Sequence, residues 1–405
     1  MRAHLLLIVA LLSLLTAKAD GPFRAHRQDI FHVLPIGADN VVFLGNSITN
    51  MHPWCEAWGD ARVLNRGTSG ALSGELIEHL DPIIAGHPKE LYLMVGTNDA
   101  DDTELIINNT RTILQRLTTE TPQTRLFLQT LLASDVGKRS IAFIEETNRR
   151  LAELIEREFP QVTLVDTYHA VTGILDGTHS NDRLHLSAEG YRQWMIEIQR
   201  VGGMEGYTIQ YDSTCRGRDY VMSGSNGMRN SYFANLPVMG DDILFVGDEF
   251  VCGGEWAELL GDARVKNRGY MWGFGGLPYM HYANSLPYIL GRNRKESVAP
   301  KQILLYAGSY EVANGVDFNL ENYKTLVDII RLTLPDARLT LVSLVPHPDR
   351  DVAPLNAYMQ RLAKADPMID YADICTGMEA YMKGPYVMGE GYLHAAKILK
   401  EHIVK

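Results

Sequence analysis

Val41-Val42-Phe43-Leu44-Gly45-Asn46-Ser47-Ile48-Thr49-Asn50 is the stretch on which the fold turns. Four apolar residues, led by two β-branched valines, read as a short buried strand, and Gly45 breaks it into a polar turn. Ser47 then stands at the C-terminal end of a strand, where open α/β sheets place their ligands. Its N–H opens a helix, a position suited to stabilising an anion. The same letters also fit a serine that merely caps a helix.

From Arg27 to about Gly203 the chain alternates short β-rich runs with longer periodic ones. Strands are expected at 41–45, 61–65, 91–95, 125–131 and 162–166. Between them, Leu72, Leu76 and Leu80, then Leu105, Ile106, Ile113, Leu114 and Leu117, then Ile141, Ile144, Leu151, Leu154 and Ile155 recur at helical spacing. Strands alternating with helices make a parallel sheet covered on both faces.

Three later stretches give Ser47 company: Asn65-Arg66-Gly67, Gly96-Thr97-Asn98-Asp99 and Asp182-Arg183-Leu184-His185. With Gly45-Asn46-Ser47-Ile48-Thr49, and in this order, they resemble the four blocks of the SGNH (GDSL-type) hydrolase family. Asn46 departs from the Asp that the family more often carries, but it is isosteric and can still bond nearby backbone. The resemblance implies a flavodoxin-like three-layer α/β/α sandwich with Ser47 as nucleophile. It implies an oxyanion hole built from the N–H of Ser47, the N–H of Gly67 and the side-chain amide of Asn98. Glycine at 67 is expected to let the backbone approach the substrate without a Cβ.

Two Asp-x-x-His tetrads compete for the base, Asp176 to His179 and Asp182 to His185. Only the second runs on into Leu-Ser-Ala-Glu-Gly-Tyr, a helix start with Ser187 as N-cap. His185 is therefore assigned as general base and Asp182 as its orienting acid, in the manner of a serine triad. His179, in a Gly/Thr/Ser loop, reads as an exposed histidine or a substrate contact.

The N-terminus has a basic start, an apolar run and an Ala17-Lys18-Ala19 exit, the marks of a secretory leader over residues 1–19. Secretion or a periplasmic location is the expectation. The remaining length, roughly 385 residues, is too much for one core and points to two domains. A net charge of −11 argues against nucleic acid or an anionic membrane as main partner. No stable membrane insertion is expected, since the leader's apolar run is short for a span. Cys55, Cys215, Cys252 and Cys375 have no metal or redox spacing, though an exported chain allows up to two disulfides. Gly-x-Ser-x-Gly, Walker A, Gly-x-Gly-x-x-Gly and His-Glu-x-x-His are absent, so no cofactor or metal is expected.

Residues 204–228 lose periodicity and read as a linker. Beyond them the chain repeats itself. Gly59-Asp-Ala-Arg-Val63 recurs letter for letter as Gly261-Asp-Ala-Arg-Val265, Trp54 and Glu56 recur as Trp256 and Glu258, and Asn65-Arg66-Gly67 as Asn267-Arg268-Gly269. Each pair lies 202 positions apart, which makes residues 27–203 and 229–405 two tandem copies of one sandwich. The copies are expected to pack on each other. The second is degenerate: Glu249 stands at the Ser47 position, Tyr310 at Asn98 and Gly391 at Asp182, while Gly269 and His394 survive. Tyr310 is expected to fill the pocket, leaving a non-catalytic domain.

The leading functional expectation is an exported serine esterase acting through an acyl-enzyme on Ser47, with a small-molecule or glycan ester as substrate. Among the family's exported members many deacetylate glycans, which makes acetylated carbohydrate the expected class. A lipid acyl hydrolase and a non-catalytic glycan-binding protein are the rivals.

Overall fold

The computed structural model describes residues 26–99, 101–215, 224–270 and 278–405, so the expected leader lies outside the described residues. Strands β1 (Val41–Gly45), β2 (Val63–Gly67), β3 (Glu90–Met94), β4 (Arg125–Gln129) and β5 (Thr163–Val165) form a parallel sheet in the order β2-β1-β3-β4-β5. A second parallel sheet, of β6 (Ile243–Gly247), β7 (Val265–Gly269), β8 (Gln302–Tyr306), β9 (Arg338–Val342) and β10 (Ile369–Ala372), has the order β7-β6-β8-β9-β10. Both are the flavodoxin-like order, with the central strand flanked by its two successors. A short antiparallel pair, β11 (Met382–Lys383) and β12 (Tyr386–Val387), follows near the C-terminus.

The central strands are buried on both faces, as helix-covered parallel strands must be. One face of the first sheet carries an aromatic row in register: Phe43 opposite Tyr92 and Tyr92 opposite Phe127. Their rings stack at 4.7 and 4.5 Å, and Trp54 stacks on Phe43 at 3.9 Å. The other face is covered by helices α3 (Thr103–Glu120) and α4 (Ile141–Glu158), which bury Ile106, Ile113, Leu117, Ile144 and Leu151. Leu105, although in phase with that pattern, stays exposed.

Strand β2 begins two residues later than expected and takes in Asn65, Arg66 and Gly67. Asp60 holds the turn by accepting from the Arg62 N–H at 2.8 Å and, through its carbonyl, from Val63 at 3.1 Å. Pairing therefore starts at Val63 and runs to Gly67 opposite Gly45. The expected linker is also shortened: helix α6 (Gly224–Asn235) opens within it. Periodicity misleads there because α6 buries polar groups, among them Asn226, Arg229, Asn230 and Ser231.

Arg229 and Ser231 meet the first half of the chain, and the helix over residues 26–33, α1, meets the second half in the same way. Arg229 donates to the carbonyls of Gly269 and Met51, and Arg27 to those of Gly67 and Gly253. Arg66 grips Glu258 with two bonds of 3.0 and 2.8 Å, and Arg268 grips Glu56 with bonds of 2.7 and 2.5 Å. Each contact has a mate at the repeat distance, the signature of a two-fold relation between like surfaces. One apolar cluster runs through both halves, with Ile30, Leu34, Tyr211, Tyr232, Phe233 and Leu236 among its members.

All four cysteines are free thiols, so the two-disulfide possibility is not realised. Burial pushes Cys55 up to about 12 and Cys375 up to about 11, which keeps these thiols protonated and unreactive. Among the described residues no helix is long and apolar enough to cross a membrane, and no group of three His, Cys, Asp or Glu is placed to hold a metal.

The side chains of Arg268 and Glu56 are 0% and 4% exposed. Removing one partner of such a pair strands the other charge in a low-dielectric interior, at about 3–5 kcal/mol. Glu56→Ala is expected to lower the urea midpoint of the full chain by a corresponding amount, read by circular dichroism; an unchanged midpoint would show that the pair contributes nothing.

Candidate active site

Gly45 ends β1 where no side chain fits, since a Cβ would lie 2.8 Å from the Met94 carbonyl and 2.4 Å from Thr49 Oγ1. Asn46 follows in extended conformation and caps helix α2 (Ser47–Asn50), its Oδ1 accepting from the Ile48 N–H at 2.9 Å. The amide thus does the backbone work expected of the Asp it replaces. Ser47 is the first helical residue, so its N–H has no acceptor within the helix.

The second component comes from a tight turn in which Arg183 adopts a left-handed φ of 62°. Asp182 Oδ1 accepts from the N–H groups of Leu184 at 3.0 Å and His185 at 2.8 Å. Its Oδ2 pairs with His185 Nδ1 at 2.7 Å, and His185 Nε2 lies 2.9 Å from Ser47 Oγ. A neutral imidazole with its proton on Nδ1 donates to the carboxylate and offers Nε2 to the serine hydroxyl. Burial pushes the Asp182 carboxyl up, but the hydrogen bond and charge of His185 and the two N–H donors outweigh it and hold it at about 2. Asp182 therefore stabilises the fold above its ordinary value of 3.8, and that contribution fades as pH falls toward about 2.

His179 is turned elsewhere. Its Nδ1 donates to the Thr172 carbonyl at 2.8 Å, and its own carbonyl accepts from Ser187 at 2.8 Å, so it is a half-buried loop brace. Asn98 is fixed at both ends: Nδ2 donates to the Ala71 carbonyl at 3.0 Å and Oδ1 accepts from Arg139 at 2.9 Å. One Nδ2 hydrogen remains beyond the Ala71 bond.

Gly67 needs correction. Its N–H donates to Asn65 Oδ1 at 2.9 Å, and a Cβ there would strike the Asn50 nitrogen at 2.3 Å. The glycine is required by the end of α2 rather than by a substrate. Gly269 repeats both features beside Asn267 and Cys252. The turn that Asn98 touches is instead Ser69-Gly70-Ala71, where Gly70 has a φ of 75°.

The GDSL-like Lipase/Acylhydrolase family model matches residues 43–193, which span β1 to α5 (Ala188–Arg200) and hold Ser47, Asp182 and His185. This segment is similar to GDSL-like hydrolase domains. A search of curated proteins finds no match. Among solved structures, a Streptococcus pneumonia protein named for platelet activating factor is 26% identical, covering 48% of this chain and 97% of its own, with a TM-score of 0.41. An acetylxylan esterase from Geobacillus stearothermophilus is 18% identical over 42% of this chain and 97% of its own, with a TM-score of 0.34. A carbohydrate esterase family 3 protein from Talaromyces cellulolyticus is 17% identical over 40% and 95%, with a TM-score of 0.33.

Two buried tyrosines tie the serine and histidine loops together. Tyr191 of α5 donates to the carbonyl of Ile48, one residue after Ser47. Tyr232 of α6 donates to the carbonyl of Leu186, one residue after His185, at 2.8 Å, and the two rings meet edge to face at 5.3 Å. Ser231 Oγ accepts from the Ala188 N–H at 3.0 Å, completing the start of α5 in place of a Ser187 side-chain cap. Arg139, Tyr232 and Ser231 escaped the sequence reading because they come from outside the four blocks, two of them from the expected second domain.

The second sheet ends differently. Asp248 occupies the Asn46 position, its Oδ1 accepting from Phe250 at 3.1 Å, and Glu249 opens helix α7 (Glu249–Gly253) where Ser47 opens α2. Helix α8 (Gly389–Leu399) corresponds to α5, with Tyr392 donating to the Phe250 carbonyl as Tyr191 does to Ile48. Glu390-Gly391-Tyr392 therefore overlies Glu189-Gly190-Tyr191, a register that puts Tyr386 at the His185 position and Lys383 at Asp182. His394 lies inside α8 instead, against Thr376 and Tyr381, so neither it nor Gly391 is a relic of the triad.

Tyr232→Phe removes one hydroxyl and keeps the ring. We expect a fall in ester turnover, read as kcat, of about fivefold with KM little changed, because one charge-neutral bond holding the histidine loop is worth about 1 kcal/mol. Unaltered kcat would show that the loop holds its position without it.

Proposed function

We propose that the chain is a serine ester hydrolase that removes acetyl groups from carbohydrate, with residues 27–203 as its catalytic domain. The observation that carries the reading is the unbroken line Asp182 Oδ2, His185 Nδ1, His185 Nε2, Ser47 Oγ, at 2.7 and 2.9 Å. Ser47 Oγ attacks the ester carbonyl carbon as its proton passes to His185 Nε2, and Asp182 stabilises the imidazolium that forms. The N–H of Ser47, the second hydrogen of Asn98 Nδ2 and the backbone turn at Gly70 face the oxyanion. Collapse expels the sugar hydroxyl, which takes the proton from His185. Water then attacks the acyl-enzyme by the same path, releasing acetate and restoring Ser47.

The ester-hydrolase part also draws on the family match at residues 43–193. The acetyl and carbohydrate parts, and export, rest on the family resemblance and the leader-like residues 1–19. In this reading the second half, from Gly224 onward, packs against the catalytic domain and does no acyl transfer: a Glu249 carboxylate at the nucleophile position would repel the oxyanion.

Purified chain should be assayed on p-nitrophenyl esters of increasing length and on O-acetylated sugars. Ser47→Ala should abolish acetate release. His185→Ala should cost about 10³-fold or more in kcat, leaving only binding and oxyanion stabilisation, while His179→Ala should alter turnover little. Activity that survives Ser47→Ala intact would remove that serine from the mechanism, and a preference for long acyl chains would favour a lipid substrate.

A further inference from the structure

The C-terminal edge of the second sheet, where the first sheet carries Ser47, encloses a cavity of about 370 Å³. That is ample for a small ligand, such sites running from about 300 to 1,000 Å³. Tyr310, expected to fill this space, is not among its lining residues. The lining comes from the strand ends: Asp248 and Glu249 after β6, Ser309 after β8, Val345 and His347 after β9, and Tyr386 of β12.

Asp248 is 1% exposed, and its Oδ2 is buried without a hydrogen bond of good geometry, Ser309 being its polar neighbour. A buried carboxyl oxygen left so is costly unless something else engages it. Burial pushes the group up to about 8 against the opposing pull of Ser309 and Phe250, so at neutral pH it is largely a carboxylic acid able to donate. No lysine or arginine lines the cavity, which disfavours anionic ligands. A proton donor at Asp248, an acceptor at Glu249 and hydroxyl and imidazole groups at Ser309 and His347 match hydroxyls, which both donate and accept. Val345 and Tyr386 offer apolar surface to a C–H face.

We propose that this cleft binds, without cleaving it, a neutral sugar residue of the glycan whose ester Ser47 hydrolyses. The naming of the glycan rests on the proposed function; the cleft itself does not. Acyl transfer is excluded by the groups present, since Glu249, Tyr386 and Lys383 stand where it needs serine, histidine and aspartate.

The test titrates full-length Ser47→Ala calorimetrically with neutral xylo-, manno-, cello- and chito-oligosaccharides, and with an oligogalacturonate as the acidic arm. At least one neutral oligosaccharide should bind, and Glu249→Ala or Tyr386→Ala added to that background should weaken it tenfold or more. Glu249→Gln, which keeps size and fold, should weaken it less than Glu249→Ala. No binding across the neutral panel, binding indifferent to every cleft substitution, or preferred binding of the acidic arm would each overturn the proposal. Failure of the esterase reading would show separately, as acetate release that survives Ser47→Ala.

Discussion

Two bidentate ion pairs set how the halves of this chain meet. Arg66 reaches Glu258 and Arg268 reaches Glu56. Buried charges are weak sources of net stability, because desolvation offsets most of their attraction. What they supply is selectivity, since any sliding of one half past the other would leave up to four charges unpaired. Each arginine is the middle letter of the Asn-Arg-Gly that ends its strand, which ties the relative placement of the halves to the edge strands β2 and β7.

Helices α1 and α6 build on that arrangement. Each stays with its own sheet through an arginine, Arg27 to Gly67 and Arg229 to Gly269, and braces the other half's last helix. Ser231 takes the first N–H of α5, and Asp29 takes the first N–H of α8 at 2.6 Å. The geometry of Ser47 and His185 thus depends on residues far away in sequence, through hydrogen bonds in a buried interior where such bonds are strong.

Much of this was legible beforehand because sheet periodicity and turn chemistry are local. The strand ending at Gly45, the helical faces of Ile113 and Leu151, and the Asp182–His185 turn each follow from a few neighbouring letters. What failed was non-local. Gly67 looked like a residue cleared for a substrate, yet the space beside it is taken by Asn50 from another element. His394 matched a motif letter, yet only the helix register fixed by Tyr392 shows that Tyr386 holds that place. Helix α6 read as linker because its buried face is polar, and a polar face becomes an interior face only when the partner surface is known.

The near-symmetry also breaks in the support of the triad: the repeat mate of Tyr232 is Ile30, which has no hydroxyl to give. In an assembly of two identical chains every substitution appears twice, so a change useful at one site must be tolerable at the other. Fusing both halves into one chain lifts that constraint. One side can refine the support of a reactive serine while its counterpart drifts to Glu249 and an open cleft, and neither change imposes itself on the other.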